Sequence, residues 1–301
     1  MAYLFETFAG WDTYCREHNM SLVDSVIEYE TSEKGTAKEE IMAGVARNYQ
    51  VMKEAVETGF SEDMTSRSGM INNGAKKVYN SKITVLSPEF QQLVARALSA
   101  KEVNSCMGRV VAAPTAGASG IMPGVLYTLQ QLHGLSDEKM HEAMLVAAGI
   151  ALVIEHQSSL AGAVGGCQAE TGSAAAMAAG AIVYCLGGDN QQIFNAVGIT
   201  IQCMLGLVCD PVACLVEVPC VVRNASAAAI AFSSAQMAMA GLDAVIPADE
   251  CVAAMGEVGE SMEARYKETA LGGLAATPTG KRIAQRVLVH EVDILPDMDE
   301  E

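Results

Sequence analysis

Four long stretches of this chain contain no Asp, Glu, Lys or Arg, at residues Val110–Ser136, Thr171–Gly188, Asn190–Cys209 and Asn224–Leu242. A helix without charge on any face is typical of burial on all sides. Periodicity elsewhere in the chain is helical, and the alternation of half-buried strands is scarce. The stretches are also rich in Ala, Gly and Ser, which let helices approach closely. The sequence therefore predicts an all-α fold with a buried Ala/Gly-rich helical bundle.

Uncharged stretches of this length also raise the question of membrane-spanning helices. Their composition argues against insertion, because Ala, Gly, Ser, Asn and Gln outnumber Leu, Ile and Phe, and because prolines occur in or beside them. They also lack Lys/Arg flanks and aromatic belts. We expect no membrane-embedded part. A helical binding or membrane-embedded protein whose cysteines are merely apolar is the alternative outside the enzymes.

Residues 1–104 are more charged and amphipathic, which predicts peripheral helices. Thr36 and Glu39 form a capping box for one helix, and Gly59 is predicted to end it. Ser87, followed by Pro88, predicts the start of a second helix.

The charge balance limits the partners of the chain. With 36 acidic against 19 basic residues, the formal net charge is -17, and no run of Lys and Arg opposes it locally. Such a chain repels nucleic acid phosphates, so no nucleic acid partner is expected. The first residues contain no cationic segment followed by an apolar one, so we expect a cytoplasmic protein without a targeting signal.

Nine cysteines are many for a cytoplasmic chain, and their odd number argues against a closed disulfide framework. A metal-binding cysteine must be a thiolate, which is favoured near the positive end of a helix. Cys167 follows two glycines, Cys220 follows a proline suited to a first helical turn, and Cys209 precedes an Asp-Pro break. Spacing alone leaves Cys203 and Cys214 open. No C-x-x-C motif is present, which disfavours a zinc finger or a ferredoxin.

Four motifs in a fixed order give the cysteines a context. They are SCMGRVVAAPTAGASGIMPGVL (105–126), EHQSSLAGAVGGCQAETGSAAAMAAG (155–180), LVCDPVACLVEVPCVVRN (207–224) and LGGLAATPTGK (271–281). Together they resemble the iron-sulfur-dependent L-serine dehydratases, and in particular the separate alpha chain of that family. The resemblance extends over nearly the whole sequence.

The resemblance implies a [4Fe-4S] cluster held by Cys167, Cys209 and Cys220. Three thiolates leave one iron without a protein ligand, and this open iron is expected to act as the Lewis acid of a hydro-lyase that converts L-serine to pyruvate and ammonia. A fully ligated structural cluster that recruits Cys203 or Cys214 is the alternative. Within the enzymes, a lyase acting on L-cysteine or a small hydroxy acid is the rival. No lysine has a recognisable Schiff-base context, so no pyridoxal phosphate is expected.

A Gly-rich turn such as that at 114–120 is by itself more often a plain loop. Because it stands within the first of the four motifs, the resemblance implies that it is the substrate site. Glycines let backbone N–H groups approach a carboxylate, and two hydroxyls add donors. The residues assigned to substrate binding are Thr115, Ala116, Gly117, Ser119 and Gly120. A phosphate-binding loop is excluded because the Gly-Lys-Ser/Thr ending is missing.

The base that removes the α-proton has only weak candidates. His156 adjoins a buried stretch, and histidine as a residue type suits proton transfer near neutral pH, although a lone His at a helix end is more often structural. Lys281 follows a Thr-Pro-Thr-Gly turn and is the second candidate, with a solvated basic pair as the alternative. Four residues of the polar loop at 61–77 are further candidates for contact with the site: Ser66, Ser68, Lys76 and Lys77.

The chain is therefore interpreted as one catalytic alpha-type domain over 1–301. Peripheral helices occupy 1–104, the cluster and substrate core 105–290, and an acidic tail 291–301. Single-chain relatives carry a further N-terminal domain, so a separate beta subunit and an oligomeric assembly are expected here. Some relatives end in a cysteine that reaches the cluster, whereas this chain ends in Asp299-Glu300-Glu301.

Overall fold

A computed structural model describes residues 4–83 and 85–292. Within these ranges every regular element is helical, and β pairing is limited to two isolated bridges, Thr65–Asn72 and Cys209–Lys267. The α-helices are α1 (Phe8–His18), α2 (Leu22–Lys34), α3 (Lys38–Ser61), α4 (Gly74–Tyr79), α5 (Pro88–Ser105), α6 (Ile121–His133), α7 (Asp137–Gln157), α8 (Gly162–Gly165), α9 (Ser173–Cys185), α10 (Asn190–Met204), α11 (Cys220–Met239), α12 (Ala248–Ser261) and α13 (Pro278–Val292). The all-α prediction is confirmed.

Helix α9 lies at the centre of the bundle. It packs against α6, α7, α10 and α11, and every residue from Ser173 to Val183 is buried. A Cβ atom at Gly180 would overlap the side chain of Ile150 on α7, so the helices meet at a distance that only small residues allow. The uncharged stretches are therefore the packed centre of the fold.

Helix α3 corrects two details of the sequence prediction. Its N-cap residue is Ala37, which makes no side-chain capping hydrogen bond, so the Thr36–Glu39 capping box is wrong. The helix also continues through Gly59 to Ser61. A Cβ atom at Gly59 would overlap Ser99 of α5, which shows that this glycine permits a close helix crossing. The Ser87 cap is confirmed, because its side chain accepts a hydrogen bond from the N–H of Phe90.

Helix α5 falls in the segment predicted as peripheral, yet it packs against α3, α4, α6 and α11. Its residues Lys101 and Glu102 are buried. The carboxylate of Glu102 accepts hydrogen bonds from the N–H groups of Gly74 and Ala75, at 2.7 and 3.1 Å, and so caps the start of α4.

No helix in the described residues combines the length and the apolar character needed to cross a membrane. Only the first two residues of the predicted acidic tail, 291–301, belong to α13. Residues 293–301, including Asp299, Glu300 and Glu301, lie outside the described part of the chain.

Candidate active site

Three buried cysteines reach the same region from three different elements. Cys167 directly precedes a π-helical turn, Gln168–Gly172, that leads into α9; such turns are frequent at functional sites. Cys209 lies in an extended segment bridged to residue 267, and Cys220 is the first residue of α11. Their exposed fractions are 4, 5 and 8%, whereas Cys203 and Cys214 are exposed.

The thiols of Cys167 and Cys209 are hydrogen bonded to each other, and Oγ1 of Thr171 lies 2.9 Å from Sγ of Cys167. The bond from Cys209 stabilises the thiolate of Cys167 and lowers its pKa to about 7, while the same bond raises the pKa of Cys209. Burial raises the pKa of Cys220 to about 12, and the nearby charge of Lys101 opposes this rise. Cys220 also interacts electrostatically with Cys167.

The donor set decides which kind of metal group these residues fit. In the described part of the chain no three His, Cys, Asp or Glu side chains are arranged to hold a metal ion. One zinc ion requires all of its ligands around a single centre. An iron-sulfur cluster instead takes each thiolate on a different iron. Three buried thiols from separate elements are a donor set suited to such a cluster.

Glu170 lies between the thiols and the turn at 114–120, and the sequence analysis did not single it out. A Cβ atom at Gly117 would overlap its Oε1. A Cβ atom at Gly162 would lie 2.9 Å from its Oε2 and 3.2 Å from Sγ of Cys209. The hydroxyl of Thr115 donates to the Glu170 carboxylate, and burial raises the pKa of this group. Two glycines thus make room for one carboxylate.

The turn itself is anchored to α11 by Asn224. The Asn224 side chain accepts from the N–H of Gly120 at 2.9 Å and donates to the carbonyls of Gly117 and Cys220, both at 2.8 Å. Since Gly120 and Thr115 already have partners, the predicted anion cradle has fewer available donors than its sequence indicates. The hydroxyl of Ser119 is buried, and no described residue forms a hydrogen bond with it.

An ion pair holds the loop that carries Cys209. Arg223 Nη1 lies 2.8 Å from Oδ1 of Asp210 and also donates to the carbonyl of Val208. Oδ2 of Asp210 accepts from the N–H of Leu274 at 2.7 Å. Gly273 adopts a φ of 56°, and a Cβ atom there would overlap Asp210. The motif at 271–281 therefore supports the Cys209 loop through backbone contacts.

The two predicted bases, His156 and Lys281, are more exposed than the three thiols. Nε2 of His156, at the end of α7, is 3.3 Å from a carboxylate oxygen of Glu6. Lys281 is exposed in the first turn of α13. Their catalytic roles stay predictions.

The polar-loop candidates have structural partners. Lys76 and Lys77 donate to backbone carbonyls of Glu62 and Asn72. Ser66 and Ser68 donate to a buried carboxylate, that of residue 217.

Lys101 on α5 was also missed, although it is fully buried. Its Nζ donates to Oδ1 of Asn104 and to the carbonyl of Ala116, and no described carboxylate forms an ion pair with it. Burial lowers its pKa to about 8, and the charges of Cys220 and Glu170 oppose this change. An ammonium group thus lies behind the predicted substrate turn.

Replacing Lys101 by Met is expected to raise the stability of the fold at neutral pH. The buried charge costs roughly 3 kcal/mol, the equivalent of lowering its pKa from 10.5 to about 8; loss of two hydrogen bonds offsets about 1–2 kcal/mol of the gain. Because the folded-state pKa is the lower one, the cost is fully present below pH 8 and disappears as the pH rises to 10.5. The advantage of K101M should therefore shrink over that range.

Thermal unfolding of wild type and K101M at pH 7 and pH 10.5 measures this difference, and K34M serves as the control because Lys34 is exposed in a helical ion pair. A stability difference that does not change with pH would contradict the buried charge.

The amino-acid sequence is similar to a known protein family and to several known relatives. Residues 17–275 match the family model described as serine dehydratase alpha chain. The chain is 42% identical over 277 residues to the L-serine dehydratase, alpha chain, of Peptoniphilus asaccharolyticus, covering 91% of this chain and 95% of the relative. It is 40% identical to the probable L-serine dehydratase, alpha chain, of Bacillus subtilis, covering 90% and 91%. It is 36% identical to the L-serine dehydratase of Streptomyces coelicolor, covering 91% of this chain and 61% of that protein.

Proposed function

The chain belongs to the serine dehydratase alpha chain family, and on that premise we propose that it removes water from L-serine to give pyruvate and ammonia. We assign Cys167, Cys209 and Cys220 as ligands of a [4Fe-4S] cluster. The observation that carries the proposal is a set of three buried thiols that each interact electrostatically with one buried carboxylate, Glu170. When bound, a cluster with three thiolate ligands supplies a Lewis acid at its fourth iron, which makes the serine hydroxyl a better leaving group.

Glu170 is proposed to receive the α-proton. One oxygen of its carboxylate lies beside Gly117 of the turn, and the other lies beside Gly162, which is also next to Sγ of Cys209. The carboxylate is therefore close both to the turn and to a thiol. Burial raises its pKa, which makes the ionised carboxylate a stronger base than a solvated one. The Thr115 hydroxyl orients the group by donating a hydrogen bond to it.

Lys101 and Ser119 complete the proposed site. The ammonium of Lys101 offsets the negative charge of the thiolates and of Glu170, with which it interacts electrostatically. The buried hydroxyl of Ser119 has no hydrogen-bond partner among the described residues, and we assign it as a donor to the substrate carboxylate. The enamine formed by elimination then hydrolyses to pyruvate and ammonia.

We further infer a separate partner subunit and a cytoplasmic location. The relatives' printed name, alpha chain, supports an assembly with a second kind of chain. All nine cysteines are free thiols, which is typical of a reducing compartment.

Anaerobic purification of the complex with its partner subunit tests the function. We expect iron and sulfide in equal amounts, about four of each per chain as a [4Fe-4S] cluster requires, and pyruvate formation from L-serine in preference to L-cysteine and L-threonine. A fully folded preparation without iron would refute the cluster. A cluster-loaded complex that acts on L-cysteine but not on L-serine would refute the substrate.

A further inference from the structure

A cavity of about 600 Å³ opens beside the turn at 114–120. The loop after α3, the end of α5, the segment before α11 and the helix α13 form its walls. We call it the α13 cavity and define it by six lining residues: Arg67, Ser68, Asn104, Ala116, Glu217 and Arg286. It contains polar groups of both charges, and none of them belongs to the thiol site described above.

Glu217 carries the negative charge of this cavity. Its side chain is 6% exposed, and Oε2 accepts hydrogen bonds from the hydroxyls of Ser66 and Ser68 at 2.7 and 2.5 Å. Both bonds end on the same oxygen, and no Lys, Arg or His among the described residues forms an ion pair with this carboxylate. Lys101 interacts with Glu217 electrostatically but donates no hydrogen bond to it, so the buried carboxylate has the capacity to bind a further cation.

Arg67 and Arg286 carry the positive charge. Arg286 donates to the carbonyl of Ser68 at 3.2 Å, which brings it to the wall that Glu217 also contacts. Among the side chains that the structure describes, neither arginine pairs with a carboxylate. Both guanidinium groups are exposed at the edge of the cavity, so they are available to bind an anion that enters it.

The inner wall of the cavity adjoins the thiol site. Asn104 and Ala116 line the cavity, and both accept hydrogen bonds from Nζ of Lys101. Lys101 in turn interacts electrostatically with Cys220 and Glu170. The α13 cavity is therefore separated from the proposed reaction site by one side chain and its hydrogen bonds.

We propose that the α13 cavity captures the α-amino-acid substrate before it reaches the thiols, with the substrate carboxylate on Arg286 and Arg67 and the substrate ammonium on Glu217. A zwitterion is the ligand that satisfies unpaired charges of both signs at once. The volume of the cavity is larger than that of one small amino acid, which suits an entry site for the substrate better than a closed reaction site. This inference rests on the proposed function, since it names the route to the same reaction.

Steady-state kinetics of the complex with its partner subunit test the capture site. R286Q and E217Q should each lower kcat/KM and raise KM for L-serine by about 10- to 100-fold, the loss expected for one charge-assisted hydrogen bond in the capture step. They should leave kcat within about twofold, because the capture contacts are released before the reaction. R286K should recover part of the loss. R282Q is the matched control, since Arg282 lies one turn earlier on α13, is exposed and bonds Thr279.

Two substrate fragments separate the charges. Inhibition by 3-hydroxypropanoate, which lacks the ammonium, should weaken in R286Q but not in E217Q; ethanolamine, which lacks the carboxylate, should show the reverse. Unchanged KM in both variants, or a loss confined to kcat, would overturn the inference. In either case a wild-type complex that contains iron and turns over L-serine leaves the proposed function intact, whereas an inactive, iron-free wild type rejects that function directly.

Discussion

Serine turnover is expected to fall on the order of 1,000-fold or more when Cys167, Cys209 or Cys220 is changed to Ser, because the Lewis acid contributes several kcal/mol of transition-state stabilisation. Each variant should also lose iron and sulfide together. A hydroxyl is a poor ligand for iron in a cluster that selects soft thiolates. The measurement is the anaerobic iron content and the rate of pyruvate formation of each variant, compared with wild type.

The controls for these variants come from the same chain. C203S should retain both iron and activity, because Cys203 is exposed on α10 while the three proposed ligands are buried. C214S separates an open cluster from a fully ligated one. Loss of the cluster in C214S would mean that the fourth iron has a protein ligand, and retention of the cluster in C167S, C209S or C220S would remove that residue from the ligand set.

The four sequence motifs predicted that Cys167, Cys209 and Cys220 are the ligands. The structure explains the residues that surround these cysteines. Glu170 is the only Asp, Glu, Lys or Arg in residues 156–188. An isolated charged residue in a neutral stretch indicates a functional role, so the sequence alone could have identified Glu170 as a candidate site residue. Gly117 and Gly162 are small because they flank this carboxylate.

Lys101 shows the limit of sequence reasoning. It occurs in an ordinary helical context on α5, next to Glu102, and nothing local distinguishes it from a solvated lysine. It is buried because α5 packs against α6 and α11, which are adjacent only in the folded chain. The role of Gly59 was likewise hidden in the sequence. A glycine near the end of a helical pattern predicts the end of the helix, and only the contact with Ser99 of α5 shows that this glycine permits a helix crossing. Tertiary contact decided both positions.

Changing Glu170 to Gln is expected to lower kcat by about 100- to 10,000-fold, the usual contribution of general base catalysis, while iron content stays at the wild-type value. Gln keeps the shape of the side chain and an oxygen that accepts from the Thr115 hydroxyl, but it cannot receive the α-proton. In wild type, activity should fall as the pH decreases through the pKa of Glu170, at a higher pH than for an ordinary carboxylate because burial raises that pKa. E170Q should lack this acid limb.

A second variant moves the same carboxylate without changing it. G117A places a methyl group where Oε1 of Glu170 now lies, so the carboxylate must turn away and kcat should fall although every ionisable group remains. G44A is the matched control, because the nearest contact of a Cβ atom at Gly44 is 3.8 Å away in α3 and Ala suits a helix interior. E263Q controls for the loss of a charge at an exposed site.

If E170Q lost iron along with activity, Glu170 would support the cluster instead of the proton transfer. If E170Q kept its activity, the base would have to be sought again at His156 or Lys281. Low kcat with full iron in both E170Q and G117A is the result that places proton removal at this carboxylate.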